Sequence, residues 1–173
     1  MKVGGTIRVP GDKSISHRAL ILSSIAEGTS RIRGILNSQD VESTASVLRM
    51  LGCDIPELTS DFTIEGNGIR GFTQPKTPLD CGNSGTTARL ITGVIAGNEI
   101  HARITGDDSR SRRPMRRVTE PLAEMGAIIE YPEGKDSLPI TITGGKLHAL
   151  DWDNSTSSAQ VKSAILLAGL TGR

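Results

Sequence analysis

Three times in this chain a short polar segment holding serine runs into an apolar stretch of helical length and stops at a glycine. The copies are residues 13–28 (KSISHRALILSSIAEG), 83–97 (NSGTTARLITGVIAG) and 157–172 (SSAQVKSAILLAGLTG). Ser14 and Ser84 lie 70 positions apart, and Ser158 follows Ser84 by 74. More of the unit recurs between these starts. SRIRG (30–34) is matched by HARITG (101–106), VLRMLGCDI (47–55) by PLAEMGAII (121–129), and FTIEG (62–66) by PITITG (139–144). A repeat at this period constrains the fold more than any other feature, because each copy must form the same supersecondary unit.

That unit reads as strand, helix, strand, helix, strand, strand. Repeat 1 covers about 5–76 and repeat 2 about 77–144, and about 145–173 starts a third. The first helix of each copy is apolar nearly all round, as in Leu20, Ile21, Leu22 and Ile25, or Leu90, Ile91, Val94 and Ile95. Such a helix is expected to be buried on every side. The second is amphipathic, with Val41, Ala45 and Leu48 in one copy and Met115, Val118, Leu122 and Met125 in the other, so it packs one stripe inward. The fold class is therefore α/β: repeated βαβαββ units with buried parallel helices and outer mixed sheets.

Within the units, GTIRV (5–9) alternates as a strand does, and Pro10-Gly11 turns it into the first buried helix. Asp40 is placed to cap the second helix, which stops at Gly52. Short strands are expected around residues 53–55 and 62–65. Pro114 suits the first position of the fourth helix.

Each polar start presents free backbone N–H groups at a helix N-terminus, a setting that suits an anionic ligand. Lys13 and Arg18 stand within about a turn of the first start. Ser157, Ser158 and Gln160 offer hydroxyl and amide groups at the third, where helix capping alone would account for one serine but not for Gln160. GDKS is not a nucleotide-binding P-loop, since that motif needs glycine directly before the lysine and Asp12 intervenes. The basic run of Arg110, Arg112, Arg113, Arg116 and Arg117 follows a strand, so one guanidinium can face the ligand side and fork onto carboxylate or phosphate.

Bulk numbers exclude several classes. With 173 residues, 36% hydrophobic, the chain can build a core, though aromatics are scarce. A net charge of +1 and few stacking rings argue against nucleic acid. Cys53 and Cys81 are too few for a disulfide framework or zinc site and read as reduced cytosolic thiols. His17, His101 and His148 lack ligand spacing, so no metal is expected, and each reads as a structural or surface histidine. No run is long enough to span a bilayer and no signal peptide is visible, which points to a cytoplasmic protein.

PGDKSISHRAL (10–20), GNSGTTARL (82–90), GDDSRSRRPM (106–115) and SAQVKSAILLAGL (158–170) together resemble the 5-enolpyruvylshikimate-3-phosphate synthase family, in order and over nearly the whole chain. The resemblance implies transfer of the enolpyruvyl group of phosphoenolpyruvate to shikimate 3-phosphate with release of phosphate, on two domains of three βαβαββ units each, without a cofactor. Lys13 would touch both substrates. Ser14, Arg18, Ser158, Ala159 and Gln160 would hold shikimate 3-phosphate, while Asn83, Gly85, Arg113 and Gln160 would hold phosphoenolpyruvate, with Lys13 and Arg113 catalytic. Ala159 stands where many members carry a second serine, so only its backbone can help. Leu90 stands where some carry proline, which bears on how tightly Gly85 is positioned. Gly85 matches the form expected to admit glyphosate.

By the same resemblance the carboxylate base lies in a second domain, and the chain reads as an N-terminal fragment, inactive alone, of a protein that is a monomer when complete. The alternatives are a UDP-N-acetylglucosamine enolpyruvyl transferase, which the first and last motifs fit less well, and a non-catalytic anion-binding module.

Overall fold

The computed structural model describes residues 4–107, 113–154 and 157–172. Arg110 and Arg112 of the basic run lie outside them. The elements are α1 (Lys13–Ile25), β1 (Glu27–Arg33), α2 (Gln39–Met50), β2 (Asp61–Asn67), β3 (Leu79–Asp80), α3 (Gly85–Ala96), β4 (His101–Thr105), α4 (Arg116–Glu124), β5 (Ile128–Glu130), β6 (Ile140–Thr143) and α5 (Ala159–Thr171).

From β3 to β6 the order is strand, helix, strand, helix, strand, strand, and its strands form one mixed sheet, β3-β4-β6-β5. The β3–β4 pair is parallel, and β4–β6 and β5–β6 are antiparallel. The first copy is leaner. Its β1 and β2 pair antiparallel, Ile32 opposite Phe62, as a two-stranded ribbon. Neither of its other expected strands forms. Residues 5–9 are irregular, with Ile7 85% and Val9 76% exposed. Alternation makes a strand only when a neighbour takes up its N–H and C=O groups, and among the described residues this segment has none. Cys53 and Ile55 bury their side chains, but their amides go to Leu48 and Cys53 carbonyls, a helix ending and a tight turn in place of a ladder.

Helix ends also depart from expectation in detail. Ser38, not Asp40, caps α2 by accepting from Val41 N, and Asp40 sits in the first turn, where the helix dipole favours a carboxylate. The α1 helix ends at Ala26, and Gly28 lies inside β1 opposite Gly66. Pro114 precedes α4, and the amides of its N-cap Met115 and of its first residue Arg116 both donate to Asp136 Oδ1, at 2.9 and 2.7 Å. The stops at Gly52, Gly97 and Gly172 stand where the sequence puts them; at Gly52 φ is +89°, which favours glycine.

The first helices of the copies run side by side and parallel. Thr86 of α3 meets Gln160 of α5, Gly93 abuts Ala164, and Gly97 abuts Thr171, so both helices advance together. Arg18 of α1 likewise meets Ser163 of α5. Gly93 has no side chain because a Cβ there would overlap the Ala164 carbonyl oxygen and lie 2.8 Å from its Cα. Only α3 is buried on every side, with Leu90, Ile91 and Ile95 fully inside. Each such side chain contributes about 1.5–3 kcal/mol by leaving water.

The α1 and α5 helices, expected to be equally enclosed, are not. Ile15, Leu22, Leu166 and Leu170 are exposed, and a groove between the two helices is lined by Leu22, Leu166 and Leu170. The reason is topological: α2 packs on α1 and α3, α4 packs on α3 and α5, and no described element spans α5 and α1.

Candidate functional site

Because α1, α3 and α5 are parallel, their N-termini lie at one end of the molecule. Each is capped in the same way. Asp12 Oδ1 accepts from Ile15 N, Ser84 Oγ from Thr87 N, and Ser158 Oγ from Val161 N. Each cap satisfies the third amide of its helix, and the next amide bonds back to the cap carbonyl, Ser16 to Asp12, Ala88 to Ser84 and Lys162 to Ser158. The first two amides of each helix, those of Lys13 and Ser14, Gly85 and Thr86, and Ala159 and Gln160, have no acceptor among the described residues. Three dipoles and these amides put partial positive charge at one focus.

Side chains tie the three ends together. Lys13 opens α1 and its half-exposed ammonium lies 2.9 Å from Asp40 Oδ2 in the first turn of α2. Arg18 Nη2 donates to Ser163 Oγ at 2.7 Å and Nη1 to the Ser14 carbonyl at 2.9 Å, so α1 and α5 are joined through the residue expected to hold a phosphate. Asn83 is exposed and gives Nδ2 to Asp107 Oδ2 at 2.7 Å. Gln160 is fixed at both ends of its amide: Oε1 accepts from Arg89 Nη1 and Nε2 donates to Thr86 Oγ1, each at 2.9 Å. Ser158 is the α5 cap, and Ala159 opens the helix with an amide that has no acceptor among the described residues. Arg113 is exposed just before Pro114. Of the residues singled out from sequence, Lys13, Ser14, Arg18, Asn83, Gly85, Ser158, Ala159 and Gln160 thus gather at these three helix starts, and Arg113 stands one residue from the carbonyl that Arg89 holds.

Arg89 is the residue that sequence reasoning did not place. It is buried in α3, and besides Gln160 it donates to the Gly85 carbonyl and the Pro114 carbonyl, each at 3.2 Å. One guanidinium therefore links α3, α5 and the segment entering α4. The available signal was a lone cation inside the apolar run TTARLITGVIA, with no acidic residue a turn away to explain it. Leu90, beside it, is fully buried core.

His17 lies beneath this surface. Its imidazole is buried, with Asp40, Lys13 and Arg18 as the charged groups around it, and desolvation lowers its pKa to about 4. The linkage sign follows. Unfolded, the ring takes a proton near 6.5, whereas the native chain resists it. His17 therefore penalises nothing above about pH 6.5 and destabilises the fold progressively as pH falls toward 4. Urea unfolding is expected to show a loss of about 2 kcal/mol from this residue between pH 7 and 4.5. A His17→Leu chain should lack that part of the slope, and an unchanged slope would show that the ring is not held neutral. Burial also pushes the Cys53 thiol up to about 11 and raises Cys81, so neither is a ready nucleophile.

Parallel helices packed with one mixed sheet and one antiparallel ribbon, with amides and cations gathered at one end, define an α/β protein of the enolpyruvyl transferase fold. Comparison with known proteins makes this specific. The family profile described as EPSP synthase (3-phosphoshikimate 1-carboxyvinyltransferase) matches residues 1–173. The chain belongs to that family. A 3-phosphoshikimate 1-carboxyvinyltransferase of Alkaliphilus metalliredigens is 51% identical over 99% of the chain and 40% of the relative. One from a Sulfurihydrogenibium species is 52% identical over 98% of the chain and 39% of the relative. A solved EPSP synthase from Acinetobacter baumannii superposes with a TM-score of 0.93 at 42% identity, covering 98% of this chain and 38% of that one. The chain thus spans about 40% of the length of the curated relatives it matches. No described helix is long and apolar enough to cross a membrane.

Proposed function

We propose that this chain forms one wall of the site at which the enolpyruvyl group of phosphoenolpyruvate is joined to shikimate 3-phosphate, with release of phosphate. The observation that carries the reading is the set of paired free amides at three convergent helix starts, flanked by Lys13, Arg18 and Arg113, within a chain of this family. Both substrates are multiply anionic. Holding them together needs several positive foci at one place, which isolated surface lysines do not supply.

In this reading Lys13 meets both ligands. Ser14, Arg18, Ser158, the Ala159 amide and Gln160 take the sugar phosphate, and Asn83, the Gly85 amide, Arg113 and Gln160 take phosphoenolpyruvate. Gly85 lets the second ligand approach α3 without a Cβ in the way. The reaction protonates the enol carbon while a sugar hydroxyl attacks the carbon beside it. It needs an acid and a base on opposite faces of a water-poor site. Lys13 supplies a cation and a candidate proton donor. The opposing base and the closing half of the site belong to the part of the relatives that this chain does not match. We place the complete protein in the cytoplasm as a monomer.

Titration of the chain with shikimate 3-phosphate, with UDP-N-acetylglucosamine and with inorganic phosphate tests the ligand class. Binding of the first alone, weak and without turnover, is expected. Preference for the nucleotide sugar would assign the chain to the related transferase. Addition of the complementary portion of a close relative should then restore phosphate release. Binding without restoration would favour a non-catalytic anion module, and steady phosphate release by the chain alone would refute the half-site.

A further inference from the structure

The substrate-binding reading leaves His17 without a task, although it sits one turn inside α1 between Lys13 and Arg18 and is fully buried. Its Nδ1 lies 2.6 Å from Thr44 Oγ1 of α2, and Thr44 Oγ1 lies 2.6 Å from Thr87 Oγ1 of α3. Thr87 Oγ1 in turn lies 2.7 Å from Ser84 Oγ, the α3 cap, and 3.3 Å from the Asp40 carbonyl. Four side chains from α1, α2 and the start of α3 make one continuous buried chain. It ends at the cap that frees the Gly85 and Thr86 amides, and at the backbone of the residue whose carboxylate holds Lys13.

Proton counting gives the chain a direction. The Thr87 hydroxyl owns one proton, and the Asp40 carbonyl within its reach can only accept. With that proton directed to Ser84 or Asp40, Thr44 must donate to Thr87, and His17 Nδ1–H must donate to Thr44. His17 Nε2 has no partner among the described residues. The reverse polarity would leave a buried N–H there without an acceptor, which costs more than a buried lone pair left idle.

We propose that His17 is a positioning residue: its neutral imidazole, protonated on Nδ1, heads a hydroxyl chain through Thr44 and Thr87 that sets the α3 amide end and the Asp40–Lys13 pair against α1. The geometric claim stands apart from the ligand, and only its consequence for affinity rests on the function proposed above. His17 touches no substrate in this arrangement. It acts through the groups that do.

Nitrogen-15 spectra of the whole chain at neutral pH are expected to show the His17 proton on Nδ1 and the unprotonated resonance on Nε2. A proton on Nε2 would overturn the proposal. Thr44→Val keeps the shape of the middle link and removes its hydroxyl, and Thr44→Ser restores the hydroxyl. The Val variant should displace the amide resonances of Lys13, Ser14, Gly85 and Thr86 and weaken shikimate 3-phosphate binding about tenfold, with recovery in the Ser variant. Unmoved amides in Thr44→Val, or equal losses in both variants, would sink it. If the unmodified chain fails to bind shikimate 3-phosphate, the substrate assignment fails, while the tautomer and the amide resonances still decide the relay.

Discussion

A chain carrying Gly93→Leu is expected not to fold, and one carrying Gly93→Ala to be about 1–2 kcal/mol less stable than the parent. Intrinsic preference points the other way, since alanine in a helix interior is favoured over glycine by about 1 kcal/mol. Contact decides. The new Cβ would overlap the Ala164 carbonyl oxygen and stand 2.8 Å from Ala164 Cα, and these are backbone atoms that cannot swing aside. α3 and α5 would have to part by about 1 Å, losing close packing along both helices; overpacking of this kind costs about 1–3 kcal/mol, occasionally more.

Separation would also pull Gln160 from Arg89 and Thr86, each now 2.9 Å away, so damage at the middle of the helices reaches the ligand end. Urea unfolding followed by circular dichroism, with shikimate 3-phosphate titration of any folded variant, measures both. A Gly93→Ala chain as stable as the parent would show that the two helices are not in the close contact described.

Lys13→Met in a full-length enzyme containing this segment is expected to lower turnover by about a thousandfold while leaving the melting temperature within a few degrees. The asymmetry comes from exposure. The ammonium is half open to water and its pair with Asp40 is of the kind worth about 0–1 kcal/mol to folding. In the proposed site the same charge would face both anions, and removing such a group from a water-poor site costs about two to three orders of magnitude in rate. Methionine also leaves the Asp40 carboxylate uncompensated beside the bound anions, which deepens the loss. Arg113→Ala should act in the same direction. Steady-state rates measured with thermal melts decide the matter, and parallel losses of rate and stability would make Lys13 a structural residue.

Repeat geometry explains how much of this could be read in the letters. The order α3-β4-α4-β5-β6 was legible because the repeat matches these segments to the first copy and the helices carry their own period and stop, as in Val118, Leu122 and Met125 before Gly126. The segment 5–9 was not. Ile7 and Val9 alternate as well as Ala102 and Ile104 do, but β4 has neighbours on both sides and the first segment has none among the described residues. Local pattern cannot report a partner. The end choice at α2 failed more narrowly, since Ser38 and Asp40 both suit a helix start and only the backbone decides which lies outside the helix.

At the site, the residues proposed to meet a ligand could be singled out because they cluster in polar starts. Arg89 and the His17 chain could not, because their partners lie far along the sequence: Thr44, in the same copy, is 27 positions from His17, and Gln160, in the next copy, is 71 from Arg89. Such contacts exist only once the helices have packed together.

The narrow ribbon of β1 and β2 is edge on both its strands, a burden that the wider sheet confines to β3 and β5. Neither flank is taken by another strand among the described residues, so each shows backbone donors and acceptors to the surroundings. Such a border can recruit foreign strands and seed clumping. Its outward side answers with ions: Arg31 forks onto Asp61, Arg33 reaches the same carboxylate, and Thr29 donates to Glu65. Those bonds add little to folding at such exposure, yet an uninvited strand would have to strip water from every one of them. Keeping the molecule apart from its own kind is a duty that falls in part on this corner.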